Sequence, residues 1–135
     1  MYEKILLAVD GSENAKRAAK HAIQMAFLNS NAVVKIIHVI DITKIKSEVL
    51  NPNLKAEREN KLKEVEAAFK RAKVAYEMKI EHGEAGPTIV NYANNGQFDL
   101  VVIGSRGLNS LQEMVLGSVS HKVAKRVKCP VLIIK

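Results

Sequence analysis

The sequence predicts an α/β fold: a five-stranded parallel sheet in the strand order 3-2-1-4-5, with helices on both faces. Three observations carry this. Five short apolar runs, rich in Val, Ile and Leu, recur along the chain, as strands buried on both faces of a parallel sheet require. Stretches with the 3.6-residue apolar period of a helix separate them, and regular alternation of strand and helix builds a parallel sheet. Right-handed crossovers then leave few topologies.

The first run is Ile5 to Val9 and the second Ala32 to Ile40. A weaker, alternating third combines Tyr76, Met78, Lys79 and Ile80. Leu100 to Ile103 and Val131 to Ile134 complete the set. From Ser12, a plausible N-cap, the residues Ala15, Ala18, Ala19, Ala22, Ile23, Ala26 and Phe27 fall on one helical face. A second helix is expected over about Leu54 to Ala75. Its apolar stripe is Leu62, Val65, Phe69 and Ala72, and its flanks carry Glu57/Lys61, Glu59/Lys63 and Glu66/Lys70 at i,i+4 in the favourable order. A third helix should begin near Pro87, a good first-turn residue, and end by Asn95-Gly96. A fourth should begin near Gly117-Ser118, turn Val119, Val123 and Val127 inward, and stop before Pro130. Asp41 to Asn53 shows no clear period and reads as irregular chain at the carboxyl edge of the sheet.

Composition bounds the function. At 135 residues the chain is expected to be a single domain, spanning 1–135. With 47% hydrophobic residues, few aromatics and no Trp, its core must be aliphatic. The net charge of +7 favours anionic partners through its long-range field. One cysteine, Cys129, permits no disulfide within the chain and no CxxC pair, and fits a reducing compartment. The N-terminal run ends on Asp10 and is too short for a signal-peptide core. No apolar stretch approaches the roughly 18 to 20 residues that span a bilayer. A soluble, cytoplasmic protein is expected.

Three of the seven glycines form one pattern: Gly104-Ser105-Arg106-Gly107, nine further residues, then Gly117-Ser118. Gly104 directly follows the fourth strand and Gly117-Ser118 opens the fourth helix. Both places expose unpaired N–H groups, and the helix dipole adds partial positive charge, so a phosphate chain fits there. Ser118 and Ser120 can add hydroxyls and Arg106 charge. The pattern is neither a Walker A loop, since no Gly-Lys-Ser/Thr occurs, nor the dinucleotide fingerprint, which would follow the first strand. That strand ends instead in Val9-Asp10-Gly11-Ser12. In the order 3-2-1-4-5 the first and fourth strands are neighbours at the switch point, where ligands of open α/β sheets bind. Asp10 and Gly104 would flank that crevice, and a carboxylate there can accept hydrogen bonds from ribose hydroxyls.

The spacing G-x2-G-x9-G-[S/T] resembles the nucleotide-binding signature of the universal stress protein family. Further matches run along nearly the whole chain: Ile5 to Ser12 resembles the family's opening strand and turn, Ile37-His38-Val39 its second strand end, and Cys129 to Lys135 its closing strand. The resemblance implies a Rossmann-like sheet of the adenine nucleotide alpha hydrolase type, in the strand order above, and an ATP-binding regulatory or stress-response module. It implies that Asp10 holds the ribose and that Ala8 and Val39 line the adenine pocket. Gly104, Arg106, Gly107, Gly117, Ser118 and Val119 would surround the phosphates, with Ser120 nearby. A divalent ion, Mg²⁺ or Mn²⁺, would join them with few protein ligands. It also implies a homodimer through the C-terminal strand, Val131 to Lys135, otherwise an exposed sheet edge. At Gly83-Glu84-Ala85-Gly86-Pro87 the chain departs from the family's tighter Gly-x-Pro.

Each feature also has a plainer explanation. Single glycines commonly serve turns, Asp10 and Ser12 can simply cap a helix, and Arg106 can be a solvated loop charge. His38 reads as a packed histidine, while His21, His82 and His121 show no metal spacing. Cys129 reads as a small buried residue. Lys122, Lys125, Arg126 and Lys128 suit the last turns of a helix. Nucleic-acid binding lacks an aromatic platform or a known module. A slow ATPase or autophosphorylating switch, with Ser118 or Ser120 as acceptor, lacks a general base or paired carboxylates. A phospho-acceptor receiver lacks clustered acids at strand ends.

Overall fold

The computed structural model describes residues 2–10, 13–105 and 117–135. In chain order the elements are β1 (Lys4–Val9), α1 (Glu13–Ala26), β2 (Val33–Ile40), α2 (Ile42–Leu50), α3 (Pro52–Ala72), β3 (Tyr76–His82), α4 (Ala85–Asn95), β4 (Leu100–Gly104), α5 (Ser118–Arg126) and β5 (Val131–Ile134). The five strands form one parallel sheet in the order β3-β2-β1-β4-β5, as expected. Register sets Ala8 of β1 opposite Ile37 of β2 on one side and Ile103 of β4 on the other. The carboxyl ends of these three central strands therefore lie together.

Because strand side chains alternate, the sheet makes two cores. Ile5, Leu7, Val9, Val34, Ile36 and Val102 pack with α1 and α3. Leu6, Ala8, Ile37, Val39, Val101 and Ile103 pack with α4 and α5. The α1 stripe of five alanines and Ile23 is buried, and its small side chains bring that helix close to the sheet. Phe27 departs from the expectation. The chain has left α1 by then, and the ring is 63% exposed.

The chief correction concerns Asp41 to Asn53. Asp41 caps a helix, accepting a 2.7 Å bond from the Lys44 backbone N–H, and α2 follows. Asn51 then caps α3, whose first residue is Pro52, a position where the missing N–H costs nothing. α3 ends at Ala72 rather than Ala75 because Lys73 takes a left-handed conformation, φ 59°. Its stripe residues Leu62, Val65 and Phe69 are buried.

Candidate functional site

The ends of β1, β2 and β4 meet the starts of α4 and α5 around one cleft. Its walls are apolar: Ala8, Val39, Ile89 and Ile103, all buried, with Val119 half-buried. Its rim is polar: Asp10, Asn14, Asp41, Lys44 and Ser120. Gly104 and Gly117 line it as well. Of the residues singled out from sequence, Ala8, Asp10, Val39, Gly104, Gly117, Val119 and Ser120 thus share one cleft. Ser118 is exposed and lies on a neighbouring groove formed with Gly83 to Pro87 and Lys122. Arg106 and Gly107, like Gly11 and Ser12, lie outside the described residues.

The start of α5 turns on Gly117, its N-cap, in extended conformation with φ −61° and ψ 156°. Glycine has no side chain to cap with, and an α-helix leaves its first N–H groups without intrahelical partners. The first turn of α5 therefore presents donors and the positive end of a helix dipole beside the cleft. Ser120 is buried, and its hydroxyl donates to the Gly104 carbonyl at 3.2 Å. That bond ties α5 to the end of β4.

Gly104 has a reason for its identity that lies within the protein. A Cβ built on it would sit 3.2 Å from both the Cβ and the carbonyl oxygen of Asn14. A side chain here would have to push the first turn of α1 a few tenths of an ångström off β4. Asn14, itself buried, donates through Nδ2 to the Ser105 carbonyl and accepts from the Arg17 guanidinium. Ser105 in turn donates its backbone N–H to the Ile134 carbonyl at 2.8 Å. The chain leaving β4 is held by α1 on one side and β5 on the other.

On the β2 side, the Lys44 ammonium lies 3.2 Å from the Asp10 carbonyl oxygen, joining α2 to the end of β1. His38 is fully buried with Nδ1 2.9 Å from the Val9 carbonyl. A carbonyl only accepts, so Nδ1 carries the proton. Among the described residues, the buried Nε2 has no partner. Burial holds the imidazole below its ordinary pKa, against the opposing effect of the Val9 bond, and the nearby charges of Lys44 and Arg58 act in the same downward direction. His38 is a packed histidine that fixes the end of β1, one residue before Asp10. Cys129 is half-buried against the α4/α5 core, and burial pushes its thiol up.

Sequence reasoning missed Asn14, Asp41 and Lys44. The signal for Asp41 was available, since Asp directly before an apolar residue at the end of a strand is a helix-start pattern. Asn14 and Lys44 had no such signal, because their places depend on how closely two helices approach the sheet.

A parallel α/β sheet with an apolar cleft and a helix N-terminus at its switch point defines a class of ligand-binding Rossmann-like proteins. Comparison with known proteins narrows it. The model of the universal stress protein family matches residues 1–135. The chain is 33% identical over 142 residues to universal stress protein MJ0531 of Methanocaldococcus jannaschii, covering all of this chain and 83% of that protein. The solved structure of MJ0577, from the same organism, superposes with a TM-score of 0.81 at 34% identity, over 100% of this chain and 96% of the other. A universal stress protein crystallised in complex with cAMP superposes with a TM-score of 0.73 at 29% identity, over 99% and 97%. The chain belongs to the universal stress protein family. Among its described residues, no helix is long and apolar enough to cross a membrane.

Proposed function

We propose that this chain is one ATP-binding regulatory module that works in the cytoplasm as a homodimer paired through β5. The observation that carries the reading is a single cleft holding three unlike features: buried aliphatic walls, the carboxylate-bearing end of β1, and the N-terminus of α5. Adenine, ribose and phosphates need these three environments in turn. Ala8 and Val39 would take the base, Asp10 the ribose hydroxyls, and Gly104, Arg106, Gly107, Gly117, Ser118, Val119 and Ser120 the phosphates. The bound cAMP of a relative at 29% identity supports an adenine nucleotide here. The described residues hold no cluster of three ligating side chains, so an accompanying Mg²⁺ or Mn²⁺ would be held chiefly by phosphate oxygens and would neutralise their charge.

The test is calorimetric titration of nucleotide-free protein with ATP and Mg²⁺, after mass spectrometry of any nucleotide released on denaturation. Saturable binding is expected. It should weaken at least about tenfold, or about 1.4 kcal/mol, in Asp10→Ala and in Gly117→Val. Folded protein that binds no adenine nucleotide overturns the reading. Binding of cAMP alone, with ATP excluded, replaces the ligand.

A further inference from the structure

Helix α2 presents its polar side to the protein and its apolar side to solvent. On the inner side, Lys44 reaches the Asp10 carbonyl, and Glu48 accepts from Arg58 through Nε at 2.5 Å and a terminal guanidinium nitrogen at 3.1 Å. Both side chains of that pair are only 10% exposed. On the outer side, Ile42, Val49 and Leu50 are 68%, 76% and 87% exposed, and no residue of the helix is buried. A surface helix ordinarily does the reverse. The reason is local: Lys44 and Glu48 are four residues apart and share a face, which meets Asp10 and Arg58. The apolar residues are left on the opposite side. Val49 also borders a concavity: a groove lined by Ile40, Ile45, Val49 and Pro52, with Lys55, His82 and the Glu48–Arg58 pair as its polar lining, runs between α2, the start of α3 and the end of β3.

We propose that this groove and the outer face of α2 dock an acidic amphipathic segment of a partner protein, its apolar residues in the groove and its carboxylates on Lys46 and Lys55. Contiguous exposed apolar surface rimmed by charge marks interaction sites, and a groove of this form suits an amphipathic helix. The charge selects the occupant. Lys46 and Lys55 are exposed, Lys55 together with Lys44 and Arg58 outnumbers the one inward carboxylate of Glu48, and the whole chain carries +7. A second copy is disfavoured, because the sole acid of α2, Glu48, is turned inward and two-fold pairing would bring lysines together. A bilayer is disfavoured by the concavity. The inference does not depend on nucleotide binding.

The experiment uses the full chain, isotopically labelled, and two synthetic helical peptides of equal length, one patterned in Leu and Glu, the other in Leu and Lys. Amide shifts on adding the Leu/Glu peptide should be confined to α2, the start of α3 and the end of β3, and the Leu/Lys peptide should produce none. Lys46→Glu combined with Lys55→Glu should weaken binding at least about tenfold, and Val49→Asp should abolish it; these exposed positions leave folding intact, which circular dichroism checks. Equal binding of the two peptides, or none of the acidic one, overturns the proposal. So does co-sedimentation with phosphatidylglycerol vesicles, or self-association in the ultracentrifuge, if either is lost in Val49→Asp, for then the occupant is a lipid surface or a second copy.

Discussion

A methyl group on Gly104 would press on the Cβ and carbonyl oxygen of Asn14, both 3.2 Å away. One of those is backbone and cannot swing aside. Gly104→Ala should therefore destabilise the fold by about 1–3 kcal/mol, as overpacking does. Gly117 differs: its φ of −61° suits any residue, and Gly117→Ala should cost no more than about 1 kcal/mol at an N-cap. Urea denaturation of the two variants separates the cases, and equal losses would refute the distinction. His38 yields a second prediction at this scale. It is neutral when folded, because burial depresses its pKa, while in the unfolded chain it takes up a proton as pH falls through about 6.5. The unfolded state then binds more protons, so stability drops as pH falls below that value, until folded His38 protonates too. The slope from this group is at most about 1.4 kcal/mol per pH unit. His38→Gln, which retains a donor for the Val9 carbonyl, should remove that part of the slope.

At the scale of elements, α2 depends on contacts that its own sequence does not display. Arg58 beside Glu48 holds that carboxyl below the usual carboxylate range, and with the Lys44 contact it anchors a helix that buries no apolar side chain. Glu48→Ala should speed amide exchange across residues 42–50 far more than in α1 or α4; uniform acceleration would show that the pair supports the whole fold instead. Ile42, Ile45, Val49 and Leu50 do recur at helical spacing, so the helix was open to reading and was missed; its outward apolar side was not readable, because it depends on what Lys44 and Glu48 meet. The other elements were legible because burial enforces the period: the alanines of α1, the Leu62, Val65 and Phe69 stripe of α3, the runs of β1 and β4, and β2 from Ile36 to Ile40 are all buried. Phe27 fits the α1 period but lies beyond the last helical turn, and an end one residue earlier exposes it. In the site, Ala8 and Val39 came from the family resemblance, whereas Asp10 and Gly104 were readable because strand order puts strand ends side by side. Asn14 was not, since its role rests on a helix-to-sheet distance that Gly104 permits.

At the scale of the molecule, among the described residues no strand pairs with the outer side of β3 or β5, and such an edge is a template for a further strand. β5 is short, and Val131, Leu132 and Ile133 are only half-buried. If the proposed dimer uses this edge, sedimentation should give twice the chain mass, and Leu132→Lys should return it to the mass of one chain with its helical circular dichroism retained. A wild-type monomer at all concentrations would remove the dimer from the functional reading. The order of the sheet has a consequence for the chain as it is synthesised. β1 pairs with β2 but also with β4, about 95 residues later, and contacts that distant in sequence form late. The cleft needs Ala8 and Asp10 from the beginning, Val39 from the second strand, and Gly117 and Ser120 from near the end. No nascent chain that stops short of Ser120 can assemble it. The nucleotide proposed above would thus meet its cleft only once α5 has joined the sheet, and would report on that assembly without having guided it.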